Sequence, residues 1–320
     1  MTQEINKRTM VQLAAKMGTP ITEKQGELDL LKFHNIKVLD LLPEMMVMIR
    51  SLLSEKEFSY RRKPITIIKS GLLISFQNVF NDKNEGRGVV GPAINLDRER
   101  AHVRIVPLHL NSEVKFSKQA HIEQITILVD TAYLKQFLGN GQTNFSYLFN
   151  VEKTFWIDEF MSPEIAALVD ELVNSSDEVS LPDFYYRLKS LELLYLLFRN
   201  LSQRESVSHQ HMTIKEIEAI YRVRNAIAAS LDKALPVKEL AQLSGMNELK
   251  LRKLFTQVFG KGLYPYFQHL RMQEAARLLK EERLSVSETG YRFGFTNLSH
   301  FGRLFEEHMG MKPKKWSSKT

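Results

Sequence analysis

The sequence predicts an α+β chain in which a small β-barrel or sandwich with trailing helices precedes an all-α C-terminal domain. Three observations predict it. Short segments rich in β-branched residues, separated by turn signals, fill the region before Asp130. Beyond Asp130 the apolar spacing changes from two to three and four. After Thr213 one helix–turn–helix pattern occurs twice.

The strand candidates are Ile65–Ile68, Leu72–Val79, Val103–Leu110 and Ile122–Val129, with turns at 81–88, Gly91-Pro92 and Asn111-Ser112. Several short strands punctuated in this way suit a small barrel or sandwich. Ser162-Pro163-Glu164 reads as a helix start, with Ser162 as cap and Pro163 at the first helical position. Asp183 is the expected cap of a second helix running from Phe184 to about Leu201. That helix carries an apolar stripe of Leu188, Leu191, Leu194, Tyr195, Phe198 and Leu201. Such a stripe packs either on its own domain or in a dimer interface. His102, His109 and His121 stand seven and twelve apart, a spacing that defines no metal site, and no metal or cofactor is expected. Gly86-Arg87-Gly88 and Gly139-Asn140-Gly141 lack the strand-to-helix context of nucleotide loops and read as turns.

Ser202–Met212 is polar and aperiodic, the expected linker between a domain at 1–201 and one at 213–320. Charge divides at the same place. Of 44 Lys+Arg and 37 Asp+Glu, 19 and 11 lie from Thr213 onward, a net of +8. The preceding 212 residues keep 25 and 26, a net of −1. A basic module beside a neutral one fits either a polyanion partner for that module or a solubilising surface.

In the first copy of the repeated pattern, Val237, Leu240, Ala241 and Leu243 mark a short helix, and Ser244-Gly245-Met246 supplies the turn. Asn247 caps a second helix whose core face is Leu251, Leu254, Phe255 and Val258. In the second copy Val286, Thr289 and Gly290 take the first positions and Gly294 the turn. Thr296 is the expected cap, and Leu298, Phe301, Leu304, Phe305 and Met309 form the core face. Between them Pro265–Lys280 reads as a connecting helix. Its roughly 16 residues span about 24 Å, a strut fit to set two recognition helices about one DNA turn apart, roughly 34 Å. One such pattern is a weak signal. Two in tandem inside the basic third point to duplex DNA.

Helical phase then selects side chains. Leu249 and Lys253 lie opposite the core face of the first recognition helix, flanked by Lys250, Arg252 and Gln257. An exposed leucine suits a thymine methyl, Lys253 a guanine edge or a phosphate, and the flanking residues phosphates. Ser299 and Arg303 are the matching pair on the second helix, with His300 beside them, and Arg303 suits bidentate guanine readout. His300 reads first as a hydrogen-bonding surface side chain. Lys312, Lys314, Lys315 and Lys319 would add nonspecific phosphate attraction. A merely solvated face is the alternative for each basic residue.

KELAQLSGMN, LKLRKLF with QVFG, YFQHLRMQEAARLL and RFGFTNLSHFGRLFEEHMGMKPKKW together make Ile217 to Trp316 closely similar to the AraC/XylS family of transcription regulators. The resemblance implies sequence-specific binding to double-stranded DNA, with base contacts at Leu249, Lys253, Ser299 and Arg303. It also implies a cupin-like first domain that binds a small-molecule effector and often dimerises, and RNA polymerase as a partner if the protein activates. Thr289-Gly290 departs from the family, which places an aliphatic residue and then alanine there. FYYRLKSLELLYLLF and TNLSHF resemble a subgroup of pyochelin-type siderophore regulators, so a ferric siderophore stands beside a sugar, another metabolite or no ligand at all as the effector alternatives.

Other classes fit less well. The longest apolar run, Leu193–Phe198, is six residues where a membrane span needs about 20. No secretory signal stands at the N-terminus, so a cytoplasmic location is expected. The absence of cysteine removes disulfides, thiolate zinc sites and the thiol on which DNA-binding repair methyltransferases and amidase-like sensors depend. No enzyme is expected. An architectural DNA-binding protein without sequence preference is the remaining rival; it calls for dispersed basic residues and no near-neutral first domain.

Overall fold

The computed structural model describes residues 31–318 except 43, 57, 63–64, 66–67, 82–100, 111, 117, 119, 176–178 and 206. Two compact units divide the chain: residues up to Arg204 with His209–Met212, and Glu205–Ser208 with Thr213 onward.

The first unit is built on a six-stranded antiparallel sheet. Its strands are β1 (Leu31–Leu42), β2 (Met45–Ser54), β4 (Gly71–Asn81), β5 (His102–Pro107), β7 (Ala120–Asp130) and β8 (Ile157–Phe160), in the order β1-β2-β7-β4-β5-β8. β3 (Phe58–Arg62) pairs with β6 (Ser112–Phe116) in a separate ribbon. Strand alternation sends successive side chains to opposite faces. Ile125 of β7 stands level with Ile49 and Phe76 on the strands either side, and all three are fully buried. On this face the sheet packs against α1 (Thr131–Leu138), α2 (Ser146–Phe149), α3 (Pro163–Val173) and α4 (Pro182–Leu201), through Leu134, Leu148, Ile165, Leu168, Val169, Leu193 and Leu197. The opposite face gathers Met46, Met48, Leu73, Val106 and Leu128 into a second cluster.

The expected order of sheet and then helices holds, with differences in detail. Ile65 and Ile68 are buried but lie outside any strand; Ile65 is tied by its N–H to the carbonyl of Leu108 at 3.1 Å. The turns expected at 82–88 and Gly91-Pro92, and Gly86-Arg87-Gly88, fall outside the described residues. Gly139–Phe145 forms a short 3-10 helix. Ser162 caps α3, its Oγ accepting from the Ile165 N–H. Asp183 does not cap α4. Pro182 opens that helix, and Leu181 before it takes φ +50°, so Asp183 falls in the first turn. The stripe expected on α4 also divides: Leu194, Phe198 and Leu201 are buried, whereas Leu188 and Tyr195 are exposed. His121 accepts or donates one hydrogen bond with Ser51 Oγ at 2.9 Å and meets His34 edge-on at 5.6 Å.

The second unit is all helix: α5 (Ile214–Ala229), α6 (Val237–Ser244), α7 (Glu248–Phe259), α8 (Leu263–Glu281), α9 (Val286–Arg292), α10 (Leu298–Met309) and α11 (Pro313–Ser318). α5 opens with a capping box. Thr213 accepts from the Glu216 N–H, and the Glu216 carboxylate accepts from the Thr213 N–H. At 19 residues α8 spans about 28 Å. Among the described residues no helix is long and apolar enough to cross a membrane.

Candidate nucleic-acid interface

Two helical pairs, α6–α7 and α9–α10, flank α8. Each has its turn made by a glycine in the left-handed region, Gly245 at φ +68° and Gly294 at φ +72°, where a side chain would be strained. Each second helix is then capped by asparagine. Asn247 Oδ1 accepts from the Lys250 N–H at 2.8 Å, and Asn297 Oδ1 from the His300 N–H at 3.1 Å. Thr296, the residue expected to cap α10, is exposed and makes no cap bond. The caps Asn247 and Asn297 thus stand 50 positions apart.

Buried faces orient both second helices. Leu251, Leu254, Phe255 and Val258 of α7 are fully enclosed, as are Phe301 and Phe305 of α10; Leu298, Leu304 and Met309 are half-buried. The opposite faces carry the residues picked by helical phase. Leu249 is 80% exposed, a large solvation cost for a leucine in the free protein. Lys253 is half-buried, and Ser299, His300 and Arg303 are exposed. Lys253 and Arg303 have no ion-pair partner among the described residues. Lys250 is differently placed, its ammonium 2.6 Å from the Glu216 carboxylate of α5. That contact, with the Thr213 N–H second, holds the Glu216 carboxyl below its ordinary range. Arg252 lies 3.8 Å from Glu248 one turn back, both half-exposed.

Gln257 does not belong with this face. It is fully buried, because the last turn of α7 is enclosed on all sides with Thr256, Val258 and Phe259. Only the first two turns of α7 are open. At the equivalent place on α10, Glu306 and Glu307 are exposed. Lys312, Lys314 and Lys315 are exposed around α11, and Lys319 lies outside the described residues.

The groups that hold α9–α10 on α8 had no place in the sequence reading. Arg271 of α8 is buried, stacked 5.0 Å from the Phe267 ring and 4.3 Å from the Phe295 ring. It donates to Gln268 Oε1 at 2.9 Å and to the carbonyl of Phe293. Trp316 of α11 donates from Nε1 to the Ala276 carbonyl at 3.0 Å and meets the Phe305 ring edge-on. At the far end of α8, Arg277 contacts Glu274 and Glu282 at 2.7 and 2.9 Å. A cation in the apolar phase of YFQHLRMQEAARLL, Arg271 four residues after Phe267 and four before Ala275, is the signal that marks the first of these.

Gly290 explains the departure from alanine. A Cβ there would sit 2.6 Å from Leu298 Cδ2 and 3.3 Å from Phe301 Cδ1. The missing methyl lets α9 approach α10 closely. Thr289 beside it is fully buried, its hydroxyl donating to the Ser285 carbonyl at 2.9 Å.

Comparison with known proteins follows this geometry. Residues 240–319 match the family described as a helix-turn-helix domain. The regulatory protein PchR of Pseudomonas aeruginosa is 34% identical over 105 residues, covering 32% of this chain and 36% of that protein. The HTH-type transcriptional activator RhaR of an Enterobacter species is 28% identical over 133 residues, covering 40% and 47%. The chain thus matches less than half the length of either relative. Among solved structures, ToxT from Vibrio cholerae aligns over 86% of this chain and 98% of its own at 12% identity, with a TM-score of 0.31.

Proposed function

We propose that the protein is a sequence-specific DNA-binding transcription regulator of the AraC/XylS type, a reading supported by the match of residues 240–319 to a helix-turn-helix domain. In this reading α6–α7 and α9–α10 are two helix-turn-helix units that enter adjacent major-groove segments. Leu249 and Lys253 read the first, Ser299 and Arg303 the second. Lys250, Arg252, His300, Lys312 and Lys314 bind backbone or serve as secondary contacts. A small effector held by the first unit modulates the activity, and a metabolite or siderophore fits that role.

The observation that carries the reading is Leu249. A leucine 80% exposed in the first turn of a capped helix, beside Lys253, gains when a thymine methyl covers it. The test is to capture genomic fragments on the purified protein and sequence them. A shared motif of two blocks about 10 base pairs apart is expected. Fragments without a common motif, held no better than random duplexes, would favour the architectural alternative.

A further inference from the structure

Each helical pair turns on a left-handed glycine, but the two glycines have different surroundings. A Cβ on Gly245 would meet nothing within 4 Å. A Cβ on Gly294 would lie 3.3 Å from the main-chain carbonyl oxygen of Asp232. Asp232 belongs to the connection between α5 and α6, which leads into the first helical pair, whereas Gly294 is the turn of the second. The two pairs thus approach so closely, at a point outside α8, that one methyl group would bridge them. The Asp232 loop is itself anchored. Leu231 is fully buried, and Ser230 Oγ donates to the Lys233 carbonyl at 3.0 Å. The Gly294 turn is held as well. Arg271 of α8 donates to the carbonyl of Phe293 and stacks on the ring of Phe295, the residues before and after Gly294. Burial lowers the Arg271 pKa, and Tyr264 and Asp232 act against that shift, so the Asp232 carboxylate lies within electrostatic reach of the guanidinium. Three elements distant in sequence meet at this turn.

We infer that the 230–233 loop sets the spacing the protein accepts between its two DNA blocks, with Asp232 as a positioning residue seated on Gly294. The inference rests on the two-block reading above and names what fixes the distance. Two modules on a rigid connector gain affinity at the one spacing that fits and lose it steeply at others. A flexible connector spreads the gain over several spacings. One base pair more or less moves a block by about 3.4 Å and turns it by roughly 35° about the duplex. A single connecting helix leaves the second pair free to swing about it. A second contact between the pairs removes that freedom, and the loop supplies one. Asp232 is exposed and lies on neither recognition helix, so it can alter spacing without altering which bases are read.

The experiment measures binding of the full chain, by fluorescence anisotropy, to duplexes built on the motif recovered by genomic capture. Its two blocks are kept, and one base pair is removed from or added to the stretch between them. The native chain is expected to lose about tenfold or more in affinity at either altered spacing. Asp232→Gly loosens the loop backbone and should cut that loss to about threefold or less, with the same bases preferred inside each block. Gly294→Ala drives a methyl against the Asp232 carbonyl and should flatten the profile likewise. Gly245→Ala strains its own turn as much but meets nothing, so it should lower affinity at all three spacings by one common factor. Circular dichroism shows which variants are folded. A folded Asp232→Gly chain whose profile runs parallel to the native one would overturn the inference. So would Gly245→Ala and Gly294→Ala affecting the profile alike, or a native chain that reads both blocks at every spacing equally. Base changes that matter in one block only would overturn the two-block reading, and this inference with it.

Discussion

The guanidinium of Arg271 donates to the main-chain carbonyl of Phe293, fastening α8 to the turn of the second helical pair. The two rings that sandwich it, Phe267 and Phe295, come from the two elements it joins. Burial away from water lowers the Arg271 pKa, while its two terminal nitrogens donate to Gln268 and to the Phe293 carbonyl. The second helical pair thus takes its position on α8 from a cation in an apolar layer.

Arg271→Lys keeps the charge but loses the fork and much of the stacking. It is expected to destabilise the second unit by about 2 kcal/mol. Urea unfolding in a Trp156→Phe background, where Trp316 alone reports, measures this. An unchanged midpoint would show that the clamp is replaceable.

Gly290→Ala places a methyl against Leu298, the residue that starts α10. Overpacking of this kind costs about 1–3 kcal/mol. Affinity for duplexes altered in the second block should fall less than affinity for the intact operator, because readout by α10 is already impaired. Pairing Gly290→Ala with Leu298→Ala should restore part of the stability in thermal melts.

Glu216→Gln removes the charge that holds Lys250 while leaving a side chain able to complete the capping box. The freed ammonium is expected to neutralise one more phosphate and steepen the dependence of log K on log salt by about 0.9. Fluorescence anisotropy titrations across a salt series read the slope. An unchanged slope would place Lys250 away from the DNA backbone.

His209 stacks face to face on Tyr147, with ring centroids 3.8 Å apart. Burial, with Arg204 second, pushes its pKa down to about 4. The unfolded chain therefore binds the proton first as pH falls. The stability due to neutral His209 is present above about pH 6.5, declines as pH drops from there, and is gone by about 4. His209→Phe keeps the stack and should flatten the decline by up to about 2 kcal/mol, discounted for partial exposure. Chemical unfolding at pH 7.5 and pH 5 compares the two proteins.

Much of the second unit was legible because its signals are local. Asn247, Gly245 and Gly294 act through their own backbone, and the three-four spacing of Leu251, Leu254, Phe255 and Val258 fixes which side of α7 turns outward. Gln257 was misplaced because helical phase gives direction and says nothing of what encloses the end of a helix. Thr296 was mistaken for the cap because two cap-forming residues stand side by side, and only backbone geometry selects Asn297. In the first unit β1 and β2 gave little pattern. β2 is buried on both faces and reads as a nearly continuous apolar run, MMVMI, without the alternation that marks a half-exposed strand. The polar pairs on the sheet join strands far apart in sequence, as with Arg50 and Gln124, and no spacing rule finds them.

Two-site readout by α7 and α10 is tested most directly by measuring Leu249→Ala, Lys253→Ala, Ser299→Ala and Arg303→Ala against an operator library altered one base pair at a time. The first two should relax preference within one block and the last two within another, centred about 10 base pairs away. Arg303→Ala should lose about 1–3 kcal/mol of discrimination at a single guanine. Uniform weakening on every sequence, or all four variants acting on the same block, would contradict it.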